Sequence, residues 1–305
     1  MIVDEENTRH HSSHGSPKTL TEGDHRHAAH YIVRAYFEIM SGLPVVVGVD
    51  GSSSALAAVA WAARSCALHS VPLRLVHAYT LPTRGYPEVI SSARELRSAM
   101  YDQGRMWLSQ AVAVARSEAP DVPVEHDLRM EHPTPVLIAE SARAREVVVG
   151  SHGLGGFTGA LVGSTAVALA AHGECPVVVV RNNSHEGPVV VGVDLSPGSD
   201  PALGFGFEEA AASGVPLVAA MAHVDERSSL LNTRMSGWLE KYPDVAVEQL
   251  VVGERPIPLL LELGERAGLL VVGSRGRGGF AGMLLGSTSQ ALVCHAPCPV
   301  AVVRP

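Results

Sequence analysis

Aromatic residues make up only 5% of the 305 positions, so Val, Ala and Leu must fill whatever cores this chain builds. Cysteine is scarce too. Cys66, Cys175, Cys294 and Cys298 are too few and too scattered for a disulfide framework, which points to a reducing cytoplasm. Basic residues are outnumbered, 23 Lys and Arg against 31 Asp and Glu, for a net charge of -8. No basic stripe exists to neutralise phosphates along a duplex, so nucleic acid is not an expected partner. No apolar run has the length of a membrane span, and the acidic, polar N-terminus does not read as a secretory signal. Two nucleotide motifs are missing. There is no G-x-x-x-x-G-K-[ST], and "GVDGSS" and "GVDLSP" stand where a G-x-G-x-x-G would follow a first strand.

What is present is a duplication. Apolar residues reach 46%, enough for a core in each of the two domains that the length suggests. "VVGSHGLGGFTGALVGSTAVALAAHGECPVVVVR" begins at Val148, and "VVGSRGRGGFAGMLLGSTSQALVCHAPCPVAVVR" begins at Val271. "PVVVGVDGS" at Pro44 recurs as "PVVVGVDLS" at Pro188. The second copy is shorter in the middle: the helix-prone stretch Val89 to Glu118 has only Ser228 to Lys241 as its counterpart. Units of this length are domains, not the turns of a solenoid. The division is a polar tail at 1–42, a domain at 43–181, a linker at 182–187 and a second domain at 188–305.

Each copy alternates strand and helix. Val45 to Val49 is a continuous apolar run, as in a strand buried on both faces, and Ala55 to Leu68 is a helix after turn residues. Strands follow at Leu73 to Tyr79, Val124 to Arg129, Val147 to Val149 and Val177 to Val180. The helices between them are Val89 to Glu118, Pro135 to Ala144 and Ser164 to His172. The pattern predicts an α/β fold: a parallel sheet covered by helices, with ligands at the carboxyl ends of the strands.

The glycines fall at such an end. Gly150 closes the fourth strand, Gly153 follows, Gly155 and Gly156 keep the loop bare, and Gly163 precedes Ser164 and Thr165 at a helix start. Copy two repeats this as Gly273, Gly276, Gly278, Gly279, Gly286, Ser287 and Thr288. Glycine lets a ligand approach the backbone, and the first turn of a helix attracts an anion. Two readings stand: a phosphate cradle, or a glycine-rich turn with a serine cap and no ligand.

The spacing G-x2-G-x9-G-[ST] after strand four, with "VVVGVDGS" at strand one and "HAPCPVAVVR" at the end, resembles the universal stress protein family. More narrowly, it is similar to the tandem-domain, ATP-binding members common in actinobacteria. The resemblance covers Pro44 to Arg304. It implies two Rossmann-like domains, each a five-stranded parallel sheet of order 3-2-1-4-5 with helices on both faces. It also implies an adenine nucleotide in each, ATP with or without magnesium. Carried over, the first site comprises Gly48, Asp50, Ala78, Gly150, Gly153, Leu154, Gly155, Gly156, Gly163, Ser164 and Thr165. The second comprises Gly192, Asp194, Ala222, Gly273, Arg275, Gly276, Arg277, Gly278, Gly279, Gly286, Ser287 and Thr288. A helix N-cap is the alternative role for Asp50. The family further suggests pairing of the two domains through the last strands, with a homodimer beyond that.

The copies differ where phosphates would lie: Arg275 and Arg277 stand in copy two where copy one has His152 and Leu154. "CHAPC" reads as structural, because copy one has no partner for Cys294. The histidines of the tail, His10 to His30, are compatible with a metal or with an extension that has no role in the fold. No metal ligand set and no catalytic motif stands out. The function expected is a cytoplasmic ATP-binding stress or regulatory protein of unknown protein partner. The alternative is a nucleotide-dependent enzyme of the same fold group, such as a slow ATP hydrolase.

Overall fold

The structure, a computed structural model, describes residues 42–81, 89–153, 162–181, 187–222, 230–277 and 284–304. The tail, most of the linker, and Leu154, Gly155, Gly156, Gly278 and Gly279 lie outside the described residues. The first half runs β1 (Val45–Gly48), α1 (Ser53–His69), β2 (Leu73–Ala78), α2 (Val89–Glu118), β3 (Val124–Arg129), α3 (Pro133–Ser141), β4 (Glu146–Gly150), α4 (Ser164–His172) and β5 (Val177–Val180). The second runs β6 (Val189–Gly192), α5 (Ser199–Ser213), β7 (Leu217–Met221), α6 (Leu230–Lys241), β8 (Val247–Val251), α7 (Pro256–Gly264), β9 (Leu269–Gly273), α8 (Ser287–His295) and β10 (Val300–Val303).

Local chemistry sets these boundaries. The Ser52 hydroxyl accepts from the Ala55 N–H and caps α1, and Ser70 ends it in the left-handed region at φ 55°. The buried face of α1 is small (Ala55, Ala58, Val59, Ala62, Ala63, Cys66), which lets the helix lie close to the sheet. Pro133 starts α3 two residues before the expected Pro135, because proline suits a first turn that has no N–H partner to lose. β4 starts one residue early, at Glu146, a charged residue fully buried beneath the Ser65 hydroxyl (2.9 Å).

Within each half the strands are parallel, in the order expected from the family resemblance. The two halves form one ten-stranded sheet, β3-β2-β1-β4-β5-β10-β9-β6-β7-β8. The join is antiparallel, with Val177, Val178 and Val179 paired to Val302, Ala301 and Val300. These strand residues are all buried, so the pairing removes two apolar sheet edges at once. Helices cover both faces. Among the described residues, no helix is long and apolar enough to cross a membrane.

A buried charged cluster also joins the halves. His69 of α1 lies 2.8 Å from Glu209 of α5, and Arg145 reaches Glu208 at 3.1 Å. Glu146 lies in the same cluster, its carboxyl pushed up to about 7 by burial first and by Glu209 next. Burial would lower His69, but the bond to Glu209 outweighs it and the net shift is upward.

Candidate functional site

A cavity of about 470 Å³ opens at the carboxyl ends of β1, β2 and β4. Its size suits a small-molecule ligand. Among the predicted residues it gathers Gly48, Asp50, Ala78, Gly150, Gly153, Gly163, Ser164 and Thr165. It also takes in His152, the copy-one counterpart of Arg275, and adds Val76, Pro133, Leu137 and Val162, which the sequence reading did not single out. Pro133 and Leu137 belong to α3. Their signal was the Pro-x-Pro entry to that helix, which the second copy repeats at Pro256 and Pro258.

One end of the cavity is apolar, built from Val76, Ala78, Leu137 and Val149. The other end is the start of α4. Gly163 is its N-cap, in extended backbone, with no side chain to cap the first turn. Gly163 donates instead to the Ser151 carbonyl at 2.8 Å, holding the helix start against the glycine loop. Among the described residues no side chain caps this first turn, which leaves its N–H groups and dipole to the cavity.

Asp50 is not the helix N-cap; that role belongs to Ser52. The Asp50 carboxylate accepts from the Ser52 N–H at 3.0 Å and from its hydroxyl at 2.6 Å. Its other oxygen lies so close to Gly153 that a Cβ there would come within 2.7 Å. Asp50 thus sits directly against the loop, and a side chain at Gly153 would push the Asp50 carboxylate aside. Gly150 has a different reason for being glycine. A Cβ there would lie 2.3 Å from the Ser54 Oγ and 2.6 Å from the Ser54 carbonyl carbon, so the residue is dictated by how closely β4 approaches α1.

The second half repeats the arrangement. Asp194 accepts from the Ser196 N–H (2.9 Å), the Ser199 hydroxyl (2.6 Å) and the Arg277 N–H (2.7 Å). Burial would raise its carboxyl, but hydrogen bonds from Ser196, Ser199 and Arg277 outweigh that and hold it below the usual carboxylate range. Gly276 lies against Asp194 as Gly153 does against Asp50. Gly286 caps α8 without a side chain and donates to the Ser274 carbonyl at 2.8 Å. Gly192 and Gly273 end β6 and β9, Ser287 and Thr288 open α8, and Ala222 lies one residue beyond β7. Arg275 and Arg277 are both exposed beside Gly276. Arg304 is lowered by burial first and then by the neighbouring Arg275 charge, so a third cation approaches this loop.

The turn after β6 also differs. Leu195 takes the left-handed φ of 60° where Gly51 has 85°. Arg234 donates to the Leu195 carbonyl at 3.2 Å, which helps to hold this uncommon conformation.

The "Universal stress protein family" model matches residues 43–181 and 235–304. A universal stress protein of Mycolicibacterium smegmatis is 38% identical over 285 residues, 86% of this chain and 97% of its own length. Among solved structures, a universal stress protein from Archaeoglobus fulgidus matches 86% of this chain and 98% of its own, with a TM-score of 0.69 at 18% identity. A universal stress protein family protein of Arabidopsis thaliana with AMP bound matches 48% of this chain and 95% of its own, with a TM-score of 0.34 at 23% identity.

Proposed function

The chain belongs to the universal stress protein family, and on that premise we propose that it is a cytoplasmic stress-response protein holding one adenine nucleotide, ATP foremost, in each half. The observation that carries the proposal is the first cavity, apolar at one end and closed at the other by a glycine-capped helix start. The adenine lies against Val76, Ala78 and Leu137, and the phosphates reach the N–H groups of Ser164 and Thr165. Asp50 fixes the loop and accepts from the ribose. The second half offers the matching set around Asp194, Gly276 and Gly286. A reducing compartment is part of the proposal, supported by four free cysteines. Pairing of whole chains is part of it too, for sedimentation to test. Occupancy by nucleotide is the signal, read by a partner protein. Calorimetric titration of the purified chain with ATP, AMP, adenosine and GTP tests the reading. Micromolar or tighter binding of ATP with rejection of GTP supports it, and absence of heat with every adenine compound sinks it.

A further inference from the structure

Two arginines cross between the halves. Arg181, directly after β5, donates to the carbonyls of Val293 (3.1 Å) and Cys294 in the last turn of α8. Arg304, directly after β10, donates to the carbonyl of Ala171 in the last turn of α4. The repeat offset of 123 residues relates the two arginines and also relates Ala171 to Cys294. The same contact is therefore built twice, in opposite directions across the β5–β10 join. The helices being held are the two whose starts close the candidate nucleotide sites.

The other end of each arginine is anchored as well. The Ser151 N–H donates to the Val180 carbonyl at 2.9 Å, and the Ser274 N–H donates to the Val303 carbonyl at 2.7 Å. Each arginine thus begins beside the glycine loop of its own half and ends on the phosphate helix of the other. The last carbonyls of a helix lack partners within it, and a cation there serves them and complements the helix dipole. α4 and α8 have nine residues each, too few to be stable without tertiary support. A grip on the carboxyl end therefore also governs how the amino end is ordered and aimed.

We propose that Arg181 and Arg304 are positioning residues, each supplied by one half to order the phosphate-binding helix of the other, so that the two nucleotide sites are coupled across the join. The inference rests on the nucleotide reading given above and adds a regulation to it. Site occupancy that shifts α4 pulls on Arg304, which adjoins the loop Ser274–Arg277 of the second site. The converse holds for α8, Arg181 and the loop Ser151–Gly153.

The test uses the full chain with one site blocked at a time. Gly286→Glu places a carboxylate at the start of α8 and leaves the first site to be titrated; Gly163→Glu does the reverse. In the chain with only the first site, Arg304→Gln should weaken ATP roughly three- to tenfold. It should leave adenosine unchanged, and Arg181→Gln should do nothing. In the chain with only the second site the two arginines exchange roles. Arg304→Lys and Arg181→Lys, which keep the charge, should recover part of each loss. Losses that track the arginine's own half, or that strike ATP and adenosine alike, overturn the proposal. Hydrogen exchange on the ligand-free chain gives an independent reading. Arg304→Gln should quicken exchange in α4 and not α8, and Arg181→Gln in α8 and not α4; unchanged exchange overturns the crossed arrangement. If the parent chain binds no nucleotide at all, the nucleotide reading fails, while the exchange pattern still decides whether the helices are held crosswise.

Discussion

Substituting two neighbouring glycines with alanine should give opposite results. At Gly150 a Cβ would meet the Ser54 hydroxyl at 2.3 Å and backbone atoms of Ser54 at 2.6 and 2.7 Å. Ser54 lies in the first turn of α1, which is packed on the sheet and cannot withdraw without moving the helix. Overpacking of that kind costs about 1–3 kcal/mol. At about 2–4 °C per kcal/mol for a domain of ordinary size, Tm should fall by roughly 2–12 °C. At Gly163 the nearest atom to a Cβ is the Ser151 carbonyl oxygen at 3.8 Å, and φ -61°, ψ 142° suits any residue. The loss of unfolded-state freedom favours alanine by about 0.4–1 kcal/mol. The N-cap preference for glycine over alanine offsets it by a similar amount. Tm should therefore move by less than about 2 °C. The methyl group, however, occupies the gap between the helix start and the Ser151–Gly153 loop, where a phosphate must approach. ATP at the first site should weaken about tenfold, roughly 1.4 kcal/mol, while the second site is spared. Thermal melts paired with calorimetry on both variants decide it. The reasoning is refuted if Gly163→Ala melts as early as Gly150→Ala, or if it binds ATP at full strength.

Arg275 and Arg277 are exposed, so each should add no more than about 1 kcal/mol to phosphate binding. Removing Arg277 should weaken ATP more than AMP at the second site and flatten its salt dependence; equal salt slopes at the two sites contradict this. Stability should depend on pH through the cluster between α1 and α5. Glu146 and His69 both hold protons more tightly in the folded chain: the Glu146 contribution is complete only below about pH 4.5 and is lost progressively as pH rises to about 7, while that of His69 is complete below about 6.5 and is lost above it. Tm should fall between pH 5 and 8, and Glu146→Gln should flatten the part of that fall below about pH 7; a Tm that rises over the interval contradicts the cluster's assignment. Among the cysteines, burial pushes Cys66 up to about 12 and Cys298 up to about 11, and raises Cys175 as well. Only Cys294 is partly exposed, so an aromatic disulfide reagent should titrate one thiol in the native chain and four after denaturation.

The alternation of valine runs and helical stretches was enough to read the strands, because a parallel sheet buried on both faces leaves little choice of residue. The repeat made the second half legible from the first. Glu146 escaped the reading because a charged residue at a strand start looks like a loop until its partner Ser65, distant in sequence on α1, is known. Gly150 was legible as a glycine position but not for its reason, since its close neighbour, Ser54, is distant in sequence. Asp50 resembled a cap because Ser52, two residues on, makes the same kind of bond. The crossed arginines had no sequence signal beyond their recurrence: each acts on a helix of the other half, and pattern within one copy carries no information about that contact.

The most direct test of the account is native mass spectrometry of the intact chain titrated with ATP. Two bound nucleotides per chain are predicted for the parent, one for Gly163→Glu, and one for Gly286→Glu. A parent chain that binds none, or that binds a single nucleotide lost with either substitution alone, would contradict the assignment of one site to each half.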